Sequence, residues 1–165
     1  IVITIIGILA VALLPSVVGA PARARDAQRK ADLKNIATAI ESFNSDYSHY
    51  PDGGGCVNAV TDSKVTGVTG VLNKYFQGGT PPKDPQGKGV GNSNSGSSCT
   101  GDYLYCPLTC TSCKGANYLV ASFVEKDGDG NYNYNQGDHL CSSISKIPIL
   151  MPTKPPEYDV YMIIK

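Results

Sequence analysis

The stretch best equipped for chemistry runs from Asp127 to Asp138, DGDGNYNYNQGD. Oxygen-bearing side chains recur there at alternate positions: Asp127, Asp129, Asn131, Asn133 and Asn135, closing on Asp138. Alternate spacing lets such groups converge, and Ca²⁺ takes about six to eight oxygen ligands. The helix-flanked calcium loop, however, needs Gly at its sixth position and Glu at its twelfth. Here those places hold Tyr132 and Asp138, and a strand rather than a helix is expected before the loop. Asp, Asn and Gly also favour turns for purely conformational reasons. The sequence thus leaves two readings, a structural calcium loop and a polar surface turn. Calcium would order the loop; no other cofactor is called for.

The six cysteines are Cys56, Cys99, Cys106, Cys110, Cys113 and Cys141. Four thiolates at 99, 106, 110 and 113 could hold zinc, but ribbon-type sites use two C-x2-C knuckles. Only Cys110 and Cys113 have that spacing. Three disulfides of undetermined pairing are the expectation, each closing a loop at a gain of about 2–4 kcal/mol.

Nothing here predicts an enzyme. There is no nucleophile elbow, phosphate-cradling glycine loop or H-E-x-x-H motif. The two histidines, His49 and His139, read as surface or structural residues. The chain has 14 basic and 14 acidic residues, hence a net charge of zero. Such a balance gives no electrostatic case for nucleic acid. The ten tyrosines, with few basic neighbours, read as packing residues.

Residues 1–22 carry no charge. They offer a membrane or bundle helix, a cleaved export signal, or a core helix. Beyond them, Leu33, Ile36, Ala37, Ile40, Phe43 and Tyr47 step by 3, 1, 3, 3 and 4 along one helical face. Arg29, Lys34, Glu41 and Ser45 fall on the opposite face. One helix over residues 1–48 would be about 70 Å long, kinked or locally melted at Pro15 and Pro21. The run PDGGG at 51–55 ends it. The remainder predicts a short helix at 65–76 and strands at 102–106, 117–126, 144–150 and 157–165, the last with Tyr158, Val160, Met162 and Ile164 on one face. A long helix followed by strands is an α+β pattern. The expected architecture is a membrane or filament-core helix (1–22), an amphipathic helix (23–48) and a disulfide-stapled head with an antiparallel sheet (49–165).

The segment IVITIIGILAVALLPSVVGAPARARDAQRKADLKNIATAIESFNSDYSHYPDG resembles the N-terminal helix of type IV pilins and type II secretion pseudopilins. The matching features are the apolar run, Gly7-Ile8-Leu9, Pro15 eight residues after Gly7, the amphipathic continuation and the Tyr50-Pro51 exit. More loosely, Pro82-Lys83-Asp84-Pro85 followed by an aromatic strand looks like the family's post-helix region. The resemblance covers about 55 residues. Aligned on Gly7 and Pro15, the family's basic leader and docking glutamate would precede Ile1, so no glutamate in this chain takes the docking role.

The resemblance implies a filament core built from Ile1, Ile5, Gly7, Ile8, Leu9, Val11, Leu14, Pro15, Gly19 and Pro21. It implies Leu33, Ile36, Ile40, Phe43 and Tyr47 packed on the head. Loops 53–64, 87–98 and 127–139 would meet neighbours, hosts or substrates. Basic residues at 23–34 would lie on a solvated face or pair with Asp26, Asp32 or Glu41 of neighbouring subunits. Pseudopilins as a family bear a calcium site near the end of their sheet, which adds to the case for the acidic loop. The expected function is an extracellular pilus subunit for adhesion, motility or DNA uptake, held in the membrane before assembly. Its partners would be copies of itself, the pilus assembly machinery and host or surface receptors. The alternatives are a pseudopilin and a secreted binding module whose residues 1–20 are a signal.

Overall fold

A helix of 28 residues, Ala20–Tyr47 (α1), is the spine of the structure. The computed structural model describes residues 2–7, 19–87, 102–108, 117–125, 132–133 and 159–165. Residues 2–7 are also helical. The continuous helix expected from 1 to 48 can be followed only in these two pieces. Among the described residues no helix is long and apolar enough to cross a membrane. Pro21 lies in the first turn of α1. There its missing N–H removes no helical bond and its fixed φ suits the helix. The other end closes at Ser48, which is left-handed (φ 59°) and donates its N–H to Asn44 O at 2.7 Å. That is the single-bond form of helix cap.

The sheet has five strands: Gly55–Cys56 (β1), Leu104–Pro107 (β2), Tyr118–Phe123 (β3), Tyr132–Asn133 (β4) and Asp159–Ile164 (β5). Their spatial order is β1-β2-β3-β5-β4, with every pair antiparallel. The last strand in sequence therefore inserts beside β3. The register aligns Tyr105, Val120 and Ile163 across three strands. Alternation puts one residue in two on each face. This row packs with Leu33, Ile36, Ala37, Ile40 and Phe43 of α1 to form the core. Each large apolar side chain buried there contributes about 1.5–3 kcal/mol. On the opposite face Leu104, Cys106, Leu119 and Ala121 of β2 and β3 are buried too. The α+β architecture, a long helix on a small antiparallel sheet, is thus present.

Several expectations change. Residues 65–76 form no α-helix. They hold one 3₁₀ turn, Asn73–Tyr75, because Gly67 (φ 81°) and Gly70 (φ 75°) leave helical space. The side chain of β5 that joins the core is Ile163, while Ile164 is exposed. Loop 53–64, expected at the surface, buries Val57 and Val60. The strand expected at 144–150 and the loop at 88–98 lie outside the described residues.

Candidate functional site: the junction of helix and head

Three polar clusters fasten α1 to the sheet and its loops. The first centres on Arg29, which is only 2% exposed. Its Nε and Nη2 donate to the two carboxylate oxygens of Asp84, at 2.5 and 3.2 Å. Its Nη1 donates to Asp26 at 2.7 Å and to Glu125 at 2.6 Å. Arg25 forks onto the same Glu125 through Nε and Nη2, at 2.8 and 2.6 Å. The Glu125 N–H donates to Asp26, and Gln86 donates to both Asp84 and Glu125. One guanidinium thereby joins α1, the 84–86 turn and the chain just beyond β3. The planar fork of Arg suits this bidentate work in a way the Lys ammonium does not.

The charges respond to one another. Burial alone would lower the Arg29 guanidinium, but its bonds to Asp84, Glu125 and Asp26 outweigh that and raise it. The Arg25 hydrogen bond, helped by Arg29, holds the Glu125 carboxyl down at about 2. Arg29 was expected on the solvated face of the helix, and this is a correction. Position 29 lies four before Leu33 and seven before Ile36, on the buried stripe. Intrachain acids take its charge in place of a neighbour's.

The second cluster gathers tyrosines. Tyr118 Oη donates to Glu41 at 2.9 Å and Tyr50 Oη to the same carboxylate at 3.2 Å. Lys165 lies 3.6 Å from it. Tyr103 donates to Asp32 at 2.7 Å, and Tyr105 to Pro51 O at 2.8 Å. Burial pushes the phenols of Tyr103, Tyr105 and Tyr118 up, so they stay protonated donors. Glu41 and Asp32, expected to reach other subunits, are engaged within this chain.

The third cluster is at the helix exit. His49 joins Tyr47 O (2.8 Å) to both oxygens of Asp62 (3.1 and 3.2 Å). Asp62 in turn accepts from the N–H groups of Asp52, Lys64 and Val65. The Asp52 carboxylate takes the Ser63 N–H and hydroxyl. Nearby, Lys74 lies over the Tyr47 and Tyr75 rings, at 4.8 and 4.7 Å from their centroids.

Leu33, Ile36, Ile40 and Phe43 sit in the core with no exposed surface, whereas Tyr47 is 38% exposed and stacks on Phe43. At the apolar end, Val2 (70%), Ile3 (86%), Ile5 and Ile6 are exposed, as is Gly7. Gly19 precedes α1 and Pro21 opens it. Ile1, Ile8, Leu9, Val11, Leu14 and Pro15 lie outside the described residues.

Of the acidic loop, only Tyr132 and Asn133 are described. Their backbone pairs with Val160 and Asp159 at the sheet edge. Asp127, Asp129, Asn131 and Asp138 lie outside the described residues, as does His139. Cys56 is disulfide-bonded. Cys106 is buried, and the ladder sets it opposite Leu119. Cys99, Cys110, Cys113 and Cys141 lie outside the described residues.

Sequence reasoning missed Arg29, Asp84, Glu125 and the His49–Asp62 pair. Only Arg29 and Asp26 left a signal, through their place on the apolar helical period.

Compared with known proteins, the chain matches no family model, no curated protein and no solved structure.

Proposed function

We propose that this chain is a structural subunit of an extracellular filament of the type IV pilus kind. The observation that carries this reading is the junction. One face of α1 is fastened to the sheet by the Arg29 and Glu41 clusters, while residues 2–7 present Val2, Ile3, Ile5 and Ile6 uncovered. A rigid head on a helix with an apolar extension can pass from lipid to a bundle of identical helices. There close packing, rather than release of water, drives association. Residues 1–22 would form that bundle, with Gly7 and Gly19 among the close-approach positions. The partners would be copies of this chain, the membrane before assembly, the assembly machinery and receptors met by the head. Disulfides stapling the head, with Cys56 in one of them, belong to the same proposal, as does a structural calcium ion in loop 127–138.

The acidic loop favours a second reading, a pseudopilin forming a short periplasmic filament. Electron microscopy of the sheared cell-surface fraction, with this chain identified by mass spectrometry, separates the two. Long surface filaments containing the chain are the expected result. The chain confined to a periplasmic secretion assembly would replace the first reading by the second. Its recovery only as soluble particles would overturn both.

A further inference from the structure

The C-terminal end of α1 gathers what a cation needs. Its last carbonyls carry partial negative charge, and its last turn has no basic residue. Asp46 stands there with its side chain 54% exposed. Tyr47 and, from the 3₁₀ turn Asn73–Tyr75, Tyr75 bring two ring faces to one point. Lys74 marks that point: its Nζ lies 4.8 Å from the Tyr47 ring centroid and 4.7 Å from that of Tyr75. Both distances fall within the roughly 6 Å over which a cation is drawn to an aromatic face. The two walls are held from behind. Phe43, with no exposed surface, packs on Tyr47 at 4.6 Å and on Tyr75 at 6.2 Å between centroids. Tyr75 Oη donates to Asp46 at 2.6 Å, which ties the second wall to the carboxylate.

Lys74 fills this place poorly. Its ammonium donates to Tyr47 Oη at 3.3 Å, beyond the usual range of about 2.7–3.2 Å. It stays 3.6 Å from Asp46, one of whose oxygens already accepts from Tyr75. A primary ammonium is strongly hydrated, and it gives up water here for little hydrogen bonding in return. The Lys74 side chain is 53% exposed, and exposed pairs of this kind hold weakly. A quaternary ammonium donates no hydrogen bonds. The scarcity of near acceptors costs it nothing, and its methyl groups cover the ring faces.

We propose that Tyr47, Tyr75 and Asp46 form a recognition site for a quaternary ammonium ligand of the choline type, with Lys74 as its built-in competitor. Rotation about its own side-chain bonds carries Lys74 into solvent and opens the site. Asp46 supplies the counter-charge and the two rings supply the faces. An anionic ligand gains nothing from these groups. The inference rests on the end of α1 and the 73–75 turn, not on the filament reading.

The test is a choline chloride titration of the full chain in a maltoside detergent, read by amide NMR shifts at Tyr47 and Tyr75. Sodium chloride at the same ionic strength is the control. The unmodified chain should show saturable shifts with choline alone. Lys74→Ala should bind choline about fivefold more tightly, the weight of one exposed cation–π contact removed from competition. Lys74→Ala combined with Tyr75→Leu keeps apolar bulk but removes a ring. It should lose saturable binding while the amide shifts of β3 stay in place. Should that variant not fold, Lys74→Ala combined with Asp46→Asn replaces it, and binding should weaken about threefold, the weight of an exposed ion pair. No saturable shift in Lys74→Ala, or equal affinity with and without Lys74, overturns the proposal. So does undiminished binding in the double variants. Tighter binding of an acetylated trimethyl-lysine amide than of choline would overturn the choline-type ligand in favour of a methylated protein.

Discussion

Arg29 is the residue on which the helix–head contact turns. Removing one partner of a buried ion cluster leaves the others charged and unmatched, at a cost of about 3–5 kcal/mol. Arg29→Met should lower unfolding free energy by that amount, because Asp26 and Asp84 are both buried. Arg29→Lys should recover only part of it, since the two-point bond to Asp84 cannot be rebuilt. Denaturant midpoints measure both. Glu125 gives the same cluster a pH signature. Its carboxyl is held down at about 2, below an ordinary glutamate at about 4.3. Its contribution is therefore complete above the unfolded range and disappears as pH falls through the folded value. Stability measured from pH 6 down to 2 should decline more steeply in the unmodified chain than in Glu125→Gln. Parallel declines would show that Glu125 is not part of the fastening.

The elements differ in how openly the sequence announces them. The apolar steps from Leu33 to Phe43 are local and regular, so α1 can be read without knowing its partner. The alternation of β3 is equally local. By contrast, Arg29 meets Asp84 and Glu125, which are 55 and 96 residues away. No local pattern links such residues, and an arginine on an amphipathic helix looks solvated until its acids are placed. Which face of β5 meets α1 is left open by the sequence for a related reason. Its apolar residues occupy both faces, and only the pairing of Val120 with Ile163 decides which one meets α1. The 65–76 segment misleads through Gly67 and Gly70, whose positive φ angles break the helix that its apolar residues suggest. A Cβ at Gly70 would come within 2.6 Å of Asn58 O. Gly70→Ala should therefore cost more than the roughly 1 kcal/mol at stake in a Gly-to-Ala change without a clash, read as a fall in melting temperature. Tyr118→Phe removes the donor from buried sheet to Glu41 and should cost about 1–3 kcal/mol.

In the molecule as a whole, the proposed filament role divides into two jobs. The described head is a sheet buried on both faces at β2 and β3 and fastened to one side of α1. On the proposed filament reading, the apolar end is the part left for association. That division predicts that substitutions in the Arg29 cluster act on the stability of the head, while substitutions at Ile3 or Ile6 act on assembly. The central claim is that the apolar end is retained and used. Its most direct test is the intact mass of the chain recovered from sheared surface filaments. A mass that includes residues 1–22, from purified filaments, is the predicted result. A chain that begins near Pro21 and is found only in soluble form would contradict the account, because its apolar run would then be a removed export signal.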